Sequence, residues 1–204
     1  MQAPGVQTRD PSTQACFGAG TLVHTLGGQV PIELIQLGDL VLGQSETGGK
    51  LAYNKVVNTA VFEDRRVMLL QYVLANENLP RSLSVTGNHP FWVQDLGWCQ
   101  TRELKAGQRL QLVDDVEAYV VQTAYMLGPA PSYPTERTGS VDNNSSRSAV
   151  AATGRRPLRA RAFSIELEDF HTYFVGEAGV WVRNGCVETT TLAPVVELRR
   201  ARKG

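Results

Sequence analysis

The sequence predicts an all-β fold, and two observations point to it. Short apolar stretches alternate with clusters of Asn, Asp, Gly and Pro along most of the 204 residues. No segment shows a sustained apolar period of 3.6 residues, which is the mark of a long amphipathic helix. Hydrophobic residues make up 42% of the chain and charged residues 20%, an ordinary composition for a folded globular domain. At roughly 150 residues per domain, the length fits one sizeable core with tails.

The predicted strands begin shortly after residue 20. The first three, TLVHTL, QVPIEL and LVLG, are separated by Gly27-Gly28 and Gly38-Asp39, pairs that favour tight turns. Six further β-rich runs follow: KVVNTAVF, RVMLLQYVL, RSLSVTG, HPFWV, RLQLV and EAYVVQTAYML. FSIELED and HTYFVGEAGVWVRNGC then resume the β character, the second as a hairpin around 176–179. Ile32 to Leu37 and Thr101 to Lys105 are each predicted to form one short helical turn.

Two of these stretches resemble each other. Ile32 to Gly43 (IELIQLGDLVLG) and Thr101 to Val113 (TRELKAGQRLQLV) both lead from a polar, leucine-containing turn through Gly and a polar residue into alternating aliphatics. This internal similarity predicts a duplicated β unit with pseudo-twofold symmetry.

Residues 128–161 differ in composition from the rest of the chain. They are rich in Pro, Ser, Asn and Arg and nearly free of large aliphatic side chains. Such a segment contributes little to a core, and we therefore expect a mobile insertion there, with its arginines solvated.

Charge and composition exclude several classes of function. Lys plus Arg total 20 and Asp plus Glu total 20, so no global field favours a nucleic-acid partner. No apolar run approaches the roughly 20 residues that cross a bilayer, and the opening segment has no apolar signal core. We therefore expect no membrane partner and no export signal in this segment. The three cysteines (Cys16, Cys99 and Cys186) are widely spaced, and we expect neither a disulfide framework nor a metal or other cofactor.

Three segments contain side chains that can take part in catalysis. Cys16 lies at the entrance to the first strand, in ACFGAGT, where glycines permit close approach of another segment. TGNHPFW places a hydroxyl at Thr86 and an imidazole at His89, with the following proline favouring an extended backbone at the histidine. The last hairpin runs from His171 to Asn184. Taken singly, these residues also fit a buried structural thiol, a core histidine and an Asn-Gly turn.

Taken together, the three segments resemble the Hint superfamily, the shared fold of inteins and the Hedgehog autoprocessing domain. The likeness is closest to the pretoxin Hint modules of bacterial polymorphic toxins. The sequences of these modules typically include motifs that resemble GDLV, GW and LKAG, found here at 38–41, 97–98 and 104–107. The likeness implies a horseshoe-shaped β fold of two related halves. It also implies a bacterial source and a place within a larger, possibly secreted, protein.

The resemblance assigns roles at the first junction. Cys16 matches the nucleophile that attacks the carbonyl of Ala15 and converts the amide into a thioester. His89 matches the histidine that protonates the departing nitrogen, and Thr86 matches the threonine that orients it. The chain then divides into a flanking segment 1–15, an autoprocessing domain 16–184 and a flanking segment 185–204.

At the second junction, Asn184 matches the asparagine that cyclises and cleaves the bond to Gly185, and His171 matches an assisting histidine. Two residues depart from the family pattern: Arg183 stands where a histidine is usual, and Gly185 where Cys, Ser or Thr precedes ligation. We therefore expect single-turnover cleavage in cis by a monomer, with the flanking polypeptide as substrate and a thiol or water accepting the thioester.

Two alternatives remain. The chain fits a Hint-fold scaffold or connector that has lost its chemistry, which the two departures favour. It also fits a cysteine hydrolase built from Cys16, a histidine and Asn184, although the strand pattern after Cys16 disfavours a papain-like helix there.

Overall fold

The computed structural model describes residues 14–46, 49–114, 116–128 and 155–184, and within them the fold is all-β, as predicted. In chain order the strands are β1 (Phe17–Gly18), β2 (Leu22–Thr25), β3 (Gly28–Pro31), β4 (Leu40–Gln44), β5 (Leu51–Leu74), β6 (Arg81–Thr86), β7 (Pro90–Val93), β8 (Gly97–Gln100), β9 (Arg109–Leu110), β10 (Ala118–Tyr125), β11 (Arg159–Leu167), β12 (Thr172–Val175) and β13 (Val180–Arg183). Two 3-10 turns, Ile32–Leu34 and Thr101–Glu103, confirm the predicted helical turns. No helix in the described residues is long and apolar enough to cross a membrane.

Strand β5 differs from the prediction, which divided it into two runs. It is one strand of 24 residues that pairs with β4 and β11 along its first half and with β6 and β10 along its second. The charged residues 63–66 interrupt the apolar pattern, so the sequence indicates two strands instead of one. At Asp64 the backbone takes a φ of 61°, a left-handed conformation that aspartate adopts more readily than most residues.

The two similar stretches adopt the same structure. Ile32 corresponds to Thr101 and Gly38 to Gly107, an offset of 69 positions in both cases. The two glycines have φ of 93° and 83°, and their N–H groups donate to the following long strand at 2.9 Å and 2.8 Å. Hairpin β2–β3 corresponds to β7–β8, and β4 to β9. The predicted pseudo-twofold duplication is therefore visible in the hydrogen bonds.

The two halves meet at the centre of the molecule. Strand β1 pairs with β6, with Phe17 opposite Val85. Strands β12 and β13 form the predicted hairpin and join the halves, because β12 pairs with β2 of the first half and β13 with β7 of the second. Buried aromatic side chains fill this junction, among them Phe17, Phe91 and Tyr173. Their burial stabilises the part of the fold next to Cys16.

The end of the predicted insertion requires a correction. Strand β11 begins at Arg159, and Leu127 already forms a bridge with Pro157. The guanidinium of Arg161 pairs with Glu63 at 2.8 Å on the exposed side, while Ala162 is fully buried. The alternation of arginine and alanine at 159–162 is thus a strand pattern. The high arginine content made this stretch look like part of the insertion. The central part of the predicted insertion, 129–154, lies outside the described residues.

Candidate functional site

Cys16 and Thr86 are joined by three hydrogen bonds where β1 pairs with β6. The Cys16 N–H donates to the Thr86 hydroxyl at 3.0 Å, and that hydroxyl lies 3.3 Å from the Cys16 carbonyl oxygen, to which it donates. The Thr86 N–H donates to the same carbonyl at 2.9 Å. The nitrogen of the Ala15-Cys16 peptide is therefore held by a side chain 70 positions away.

The thiol of Cys16 is fully buried and uncharged at neutral pH. Burial raises its pKa to about 11, although the positive charge of Arg65 opposes this effect. The Sγ atom lies 3.6 Å from the carbonyl oxygen of Gln14, two residues upstream. Since the thiolate is the reactive form of cysteine, this thiol needs a base at the moment it attacks.

Arg65 belongs to the site, and sequence analysis missed it. Its Nη2 donates to the Gln14 carbonyl oxygen at 2.8 Å from strand β5. The upstream residue is therefore anchored by a guanidinium, while Cys16 is anchored by Thr86. The only sequence signal for this role is a pair of arginines in the charged interruption of an otherwise apolar stretch.

His89 is fully buried beside Phe17, the residue that follows Cys16. Its ring centroid is 4.1 Å from that of Phe17 and 5.7 Å from that of Phe91. Within the described residues neither ring nitrogen has a hydrogen-bond partner. Burial lowers the pKa of the imidazole to about 3, so the ring is neutral at pH 7 and has one lone pair able to accept a proton.

The backbone around His89 is tightly fixed. Its N–H donates to the Thr86 carbonyl at 3.1 Å, which closes the TGNH turn. Its carbonyl accepts from both the N–H and the hydroxyl of Thr101, at 2.9 Å and 3.0 Å. The turn therefore holds the backbones of Thr86 and His89 together. That their side chains act at one bond stays a prediction.

Asn184 reaches the same region from the other end of the domain. Strands β13 and β7 pair with Val182 opposite Phe91. Continuing this antiparallel register by two residues brings Asn184 opposite His89. The asparagine is buried, and within the described residues its Nδ2 atom has no hydrogen-bond partner. On this register we expect the two ends of the predicted domain to lie near His89, which stays a prediction.

The neighbours of Asn184 differ in their contacts. The His171 carbonyl accepts the Asn184 N–H at 2.6 Å, but the side chain of His171 lies on the exposed face. Arg183 forms an ion pair with Glu46, with Nε and Oε1 2.9 Å apart and both side chains about one quarter exposed. Sequence analysis did not identify Glu46, which no motif marks.

The remaining candidates lie apart from this junction. Cys99 is half-buried and packs against the core from β8, opposite Phe91. Cys186 is outside the described residues. Within the described ranges, no three His, Cys, Asp or Glu side chains are grouped to hold a metal ion. Cys16 is followed by a strand, whereas a papain-like nucleophile begins a helix.

Comparisons with known proteins agree with the fold. The family model for the pretoxin HINT domain matches residues 22–133, a range that includes Thr86 and His89 and excludes Cys16 and Asn184. No curated protein matches the chain.

Several solved structures share the fold. The chain is similar to a bacterial intein-like domain from Clostridium thermocellum, with 25% identity, a TM-score of 0.60 and coverage of 83% of this chain and 98% of that one. It is also similar to a DnaB intein from Synechocystis sp. PCC 6803, with 17% identity, a TM-score of 0.56 and coverage of 83% and 98%. The gp41-1 intein matches at 19% identity and a TM-score of 0.53, with coverage of 83% and 98%.

Proposed function

The chain belongs to the pretoxin HINT domain family, and we propose that it is a self-processing domain that cleaves its own flanking peptide bonds. The observation that carries the proposal is the hydrogen bonding between Cys16 and Thr86 beside the buried His89. It supports the proposal because a thiol and a held amide nitrogen meet at one peptide bond, and the residue after Cys16 packs against a neutral imidazole. Each of these is needed to convert an amide into a thioester.

In the first step the Sγ atom of Cys16 attacks the carbonyl carbon of Ala15. A carbon–sulfur bond forms, the carbon–nitrogen bond breaks, and the thiol proton ends on the nitrogen as a free amino group. Thiol and imidazole are both neutral at pH 7, and His89 is proposed to relay the thiol proton to the leaving nitrogen. Thr86 holds that nitrogen in place.

The scissile bond lies between two anchoring points. Arg65 holds the Gln14 carbonyl on one side at 2.8 Å, and Thr86 holds both main-chain polar groups of Cys16 on the other. An anchored peptide cannot rotate away from the attacking sulfur, so less conformational freedom is lost at the transition state. This arrangement supports a role for Arg65 in positioning the upstream segment.

In the second step the Nδ2 atom of Asn184 attacks its own main-chain carbonyl carbon and forms a succinimide. The bond to Gly185 breaks, and the proton lost from the side-chain amide goes to the new amino group. Burial without a competing hydrogen bond among the described residues supports Nδ2 as the attacking atom. Arg183 can stabilise a developing oxyanion but cannot relay protons near neutral pH, so this step is the slower one. The family resemblance assigns the relay to His171, whose side chain lies on the exposed face and would have to turn towards Asn184 to act.

The proposed outcome is cleavage at both junctions without ligation. Gly185 offers no side-chain nucleophile, and water or a thiol therefore resolves the thioester. Segments 1–15 and 185–204 are the substrate ends in cis, and 16–184 is the processing domain. Acting once and as a monomer, the domain would release a passenger from a larger bacterial toxin-like protein.

The test is a fusion of two unrelated proteins to the two ends, followed by mass spectrometry of the fragments. We expect one fragment ending at Ala15, a second beginning at Gly185, and no joined product. The second candidate function is a Hint-fold connector without chemistry, which Arg183 and Gly185 favour. Under that alternative the fusion stays intact even after thiol is added.

A further inference from the structure

A cavity of about 430 Å³ adjoins the first junction. Thr86, Gly87 and Asn88 form one wall. Its charged lining residues are Asp64, Arg65, Arg66, Arg102 and Arg159. Because Arg66, Arg102 and Arg159 are exposed, the cavity is open to solvent.

The cavity has a positive charge although the whole chain is neutral. Four arginines and one aspartate give its lining a net charge of +3. Arg159 pairs with Asp64 at 2.7 Å, so this arginine is already occupied. Arg102 is 4.0 Å from Glu103, beyond hydrogen-bond distance, and over half of its side chain is exposed. The local field therefore favours an anion.

The position of the cavity connects it to the reacting bond. Thr86 lines it and also holds the nitrogen of Cys16, while Arg65 lines it and also holds the carbonyl of Gln14. Ala15 and Cys16 are themselves buried and do not line the cavity. The two shared residues, Thr86 and Arg65, are therefore the observed connection between the cavity and the reacting bond.

We propose that this cavity binds the thioester acceptor and selects small thiols that carry an anionic group. The inference rests on the proposed thioester at Cys16. The acceptor sulfur attacks the Ala15 carbonyl carbon and forms a new thioester, and the Cys16 sulfur leaves with the proton that the acceptor thiol gives up. Guanidinium groups bind planar or tetrahedral oxyanions through paired hydrogen bonds, so Arg66 and Arg102 suit a sulfonate or carboxylate on the acceptor.

The experiment compares three thiols of similar size: 2-mercaptoethanesulfonate, 2-mercaptoethanol and cysteamine, which are anionic, neutral and cationic. For each, the rate of release of the fragment ending at Ala15 is followed against thiol concentration at low salt. The variant Arg66→Gln/Arg102→Gln removes two cavity charges. Arg109→Gln is the matched control, since Arg109 is paired with Glu117 outside the cavity.

Selectivity is measured as the half-saturating concentration of the neutral thiol divided by that of the anionic thiol. We expect the double variant to lower this ratio about fivefold, because each exposed charge contact contributes modestly. The control leaves the ratio unchanged, and raising the salt concentration weakens the preference in the parent. Intrinsic thiol reactivity cancels because each thiol is compared with itself across variants.

Binding is also measured without chemistry. In the Cys16→Ala protein, ethanesulfonate is expected to shift the amide resonances of Gly87 and Asn88, and the double variant to lose these shifts. If the double variant releases the fragment with the parent's selectivity, or if neither amide shifts, the inference about the acceptor site is wrong while the proposed function stands. No release with any of the three thiols overturns the proposed function and the acceptor site with it.

Discussion

The hydroxyl of Thr86 bonds both main-chain polar groups of Cys16, accepting its N–H at 3.0 Å and donating to its carbonyl at 3.3 Å. Cys16 directly precedes β1 and Thr86 ends β6, and these strands come before the two equivalent hairpins, β2–β3 and β7–β8. The candidate site is therefore located where the duplicated halves meet. Neither half contains it alone.

The proposed mechanism gives Thr86 and His89 different roles. We expect His89→Ala to slow thiol-induced release at Ala15 more than Thr86→Ala, because proton transfer typically contributes about a hundredfold or more. Thr86→Ser keeps the hydroxyl and serves as the mild control. Single-turnover rates with thiol provide the measurement. A larger loss from Thr86→Ala than from His89→Ala contradicts this division of roles.

Acid should destabilise the fold through His89. Its pKa is about 3 when folded and near 6.5 when exposed, so below pH 6.5 the unfolded chain binds more protons. Stability is then lost as the pH falls from 6.5 towards 3, by at most about 1.4 kcal/mol per pH unit.

Urea unfolding between pH 4 and 8 tests this effect in the Cys16→Ala background, where no thioester forms. The variant that also carries His89→Phe lacks the histidine contribution, while the carboxylates titrate equally in both proteins. The difference between the two curves is expected to be constant above pH 7.5 and to change below 6.5. A difference that stays constant throughout means that His89 is not buried in its neutral form.

Arg65 should affect the rate rather than the fold. Arg65→Gln removes a charged hydrogen bond to Gln14, and we expect release at saturating thiol to slow by about tenfold, the effect of roughly 1.4 kcal/mol. Arg65→Lys restores part of the rate by keeping the charge. Arg161→Gln, which removes an exposed ion pair to Glu63, is the control. If Arg65→Gln releases the fragment at the parent's rate at saturating thiol, Arg65 does not position the upstream segment for the reaction.

The second junction should respond to Arg183 and His171. We expect Arg183→His to accelerate release of the segment beginning at Gly185, since imidazole relays protons that a guanidinium retains. His171→Ala should slow this release in the parent. Intact masses distinguish cleavage from a deamidated but uncut chain. Equal rates in all three proteins mean that Asn184 does not cyclise by this route.

Much of the fold and part of the candidate site could be predicted from the sequence. The strands and the two turns follow from local alternation and glycine placement, and the duplication from the matching stretches at Ile32 and Thr101. The assignment of Cys16, Thr86, His89 and Asn184 to the site comes from the resemblance of their motifs to the Hint superfamily and stays a prediction. Each of these signals is carried by residues close together in the chain.

The features that the prediction missed depend on distant pairings. Arg65 meets Gln14 only because β5 continues through its charged centre, and Glu46 meets Arg183 across the domain. No local pattern marks either contact. The start of β11 was assigned to the insertion because Arg159 and Arg161 masked the alternation of a strand.

The most direct test of the account is thiol-induced cleavage in the parent and in Cys16→Ala, measured by intact mass. The parent is expected to release an N-terminal fragment ending at Ala15 and carrying the added thiol as a thioester. The variant, which lacks the sulfur that forms the first bond, is expected to stay uncut there. Cleavage at Ala15 in Cys16→Ala at the parent's rate contradicts the central claim.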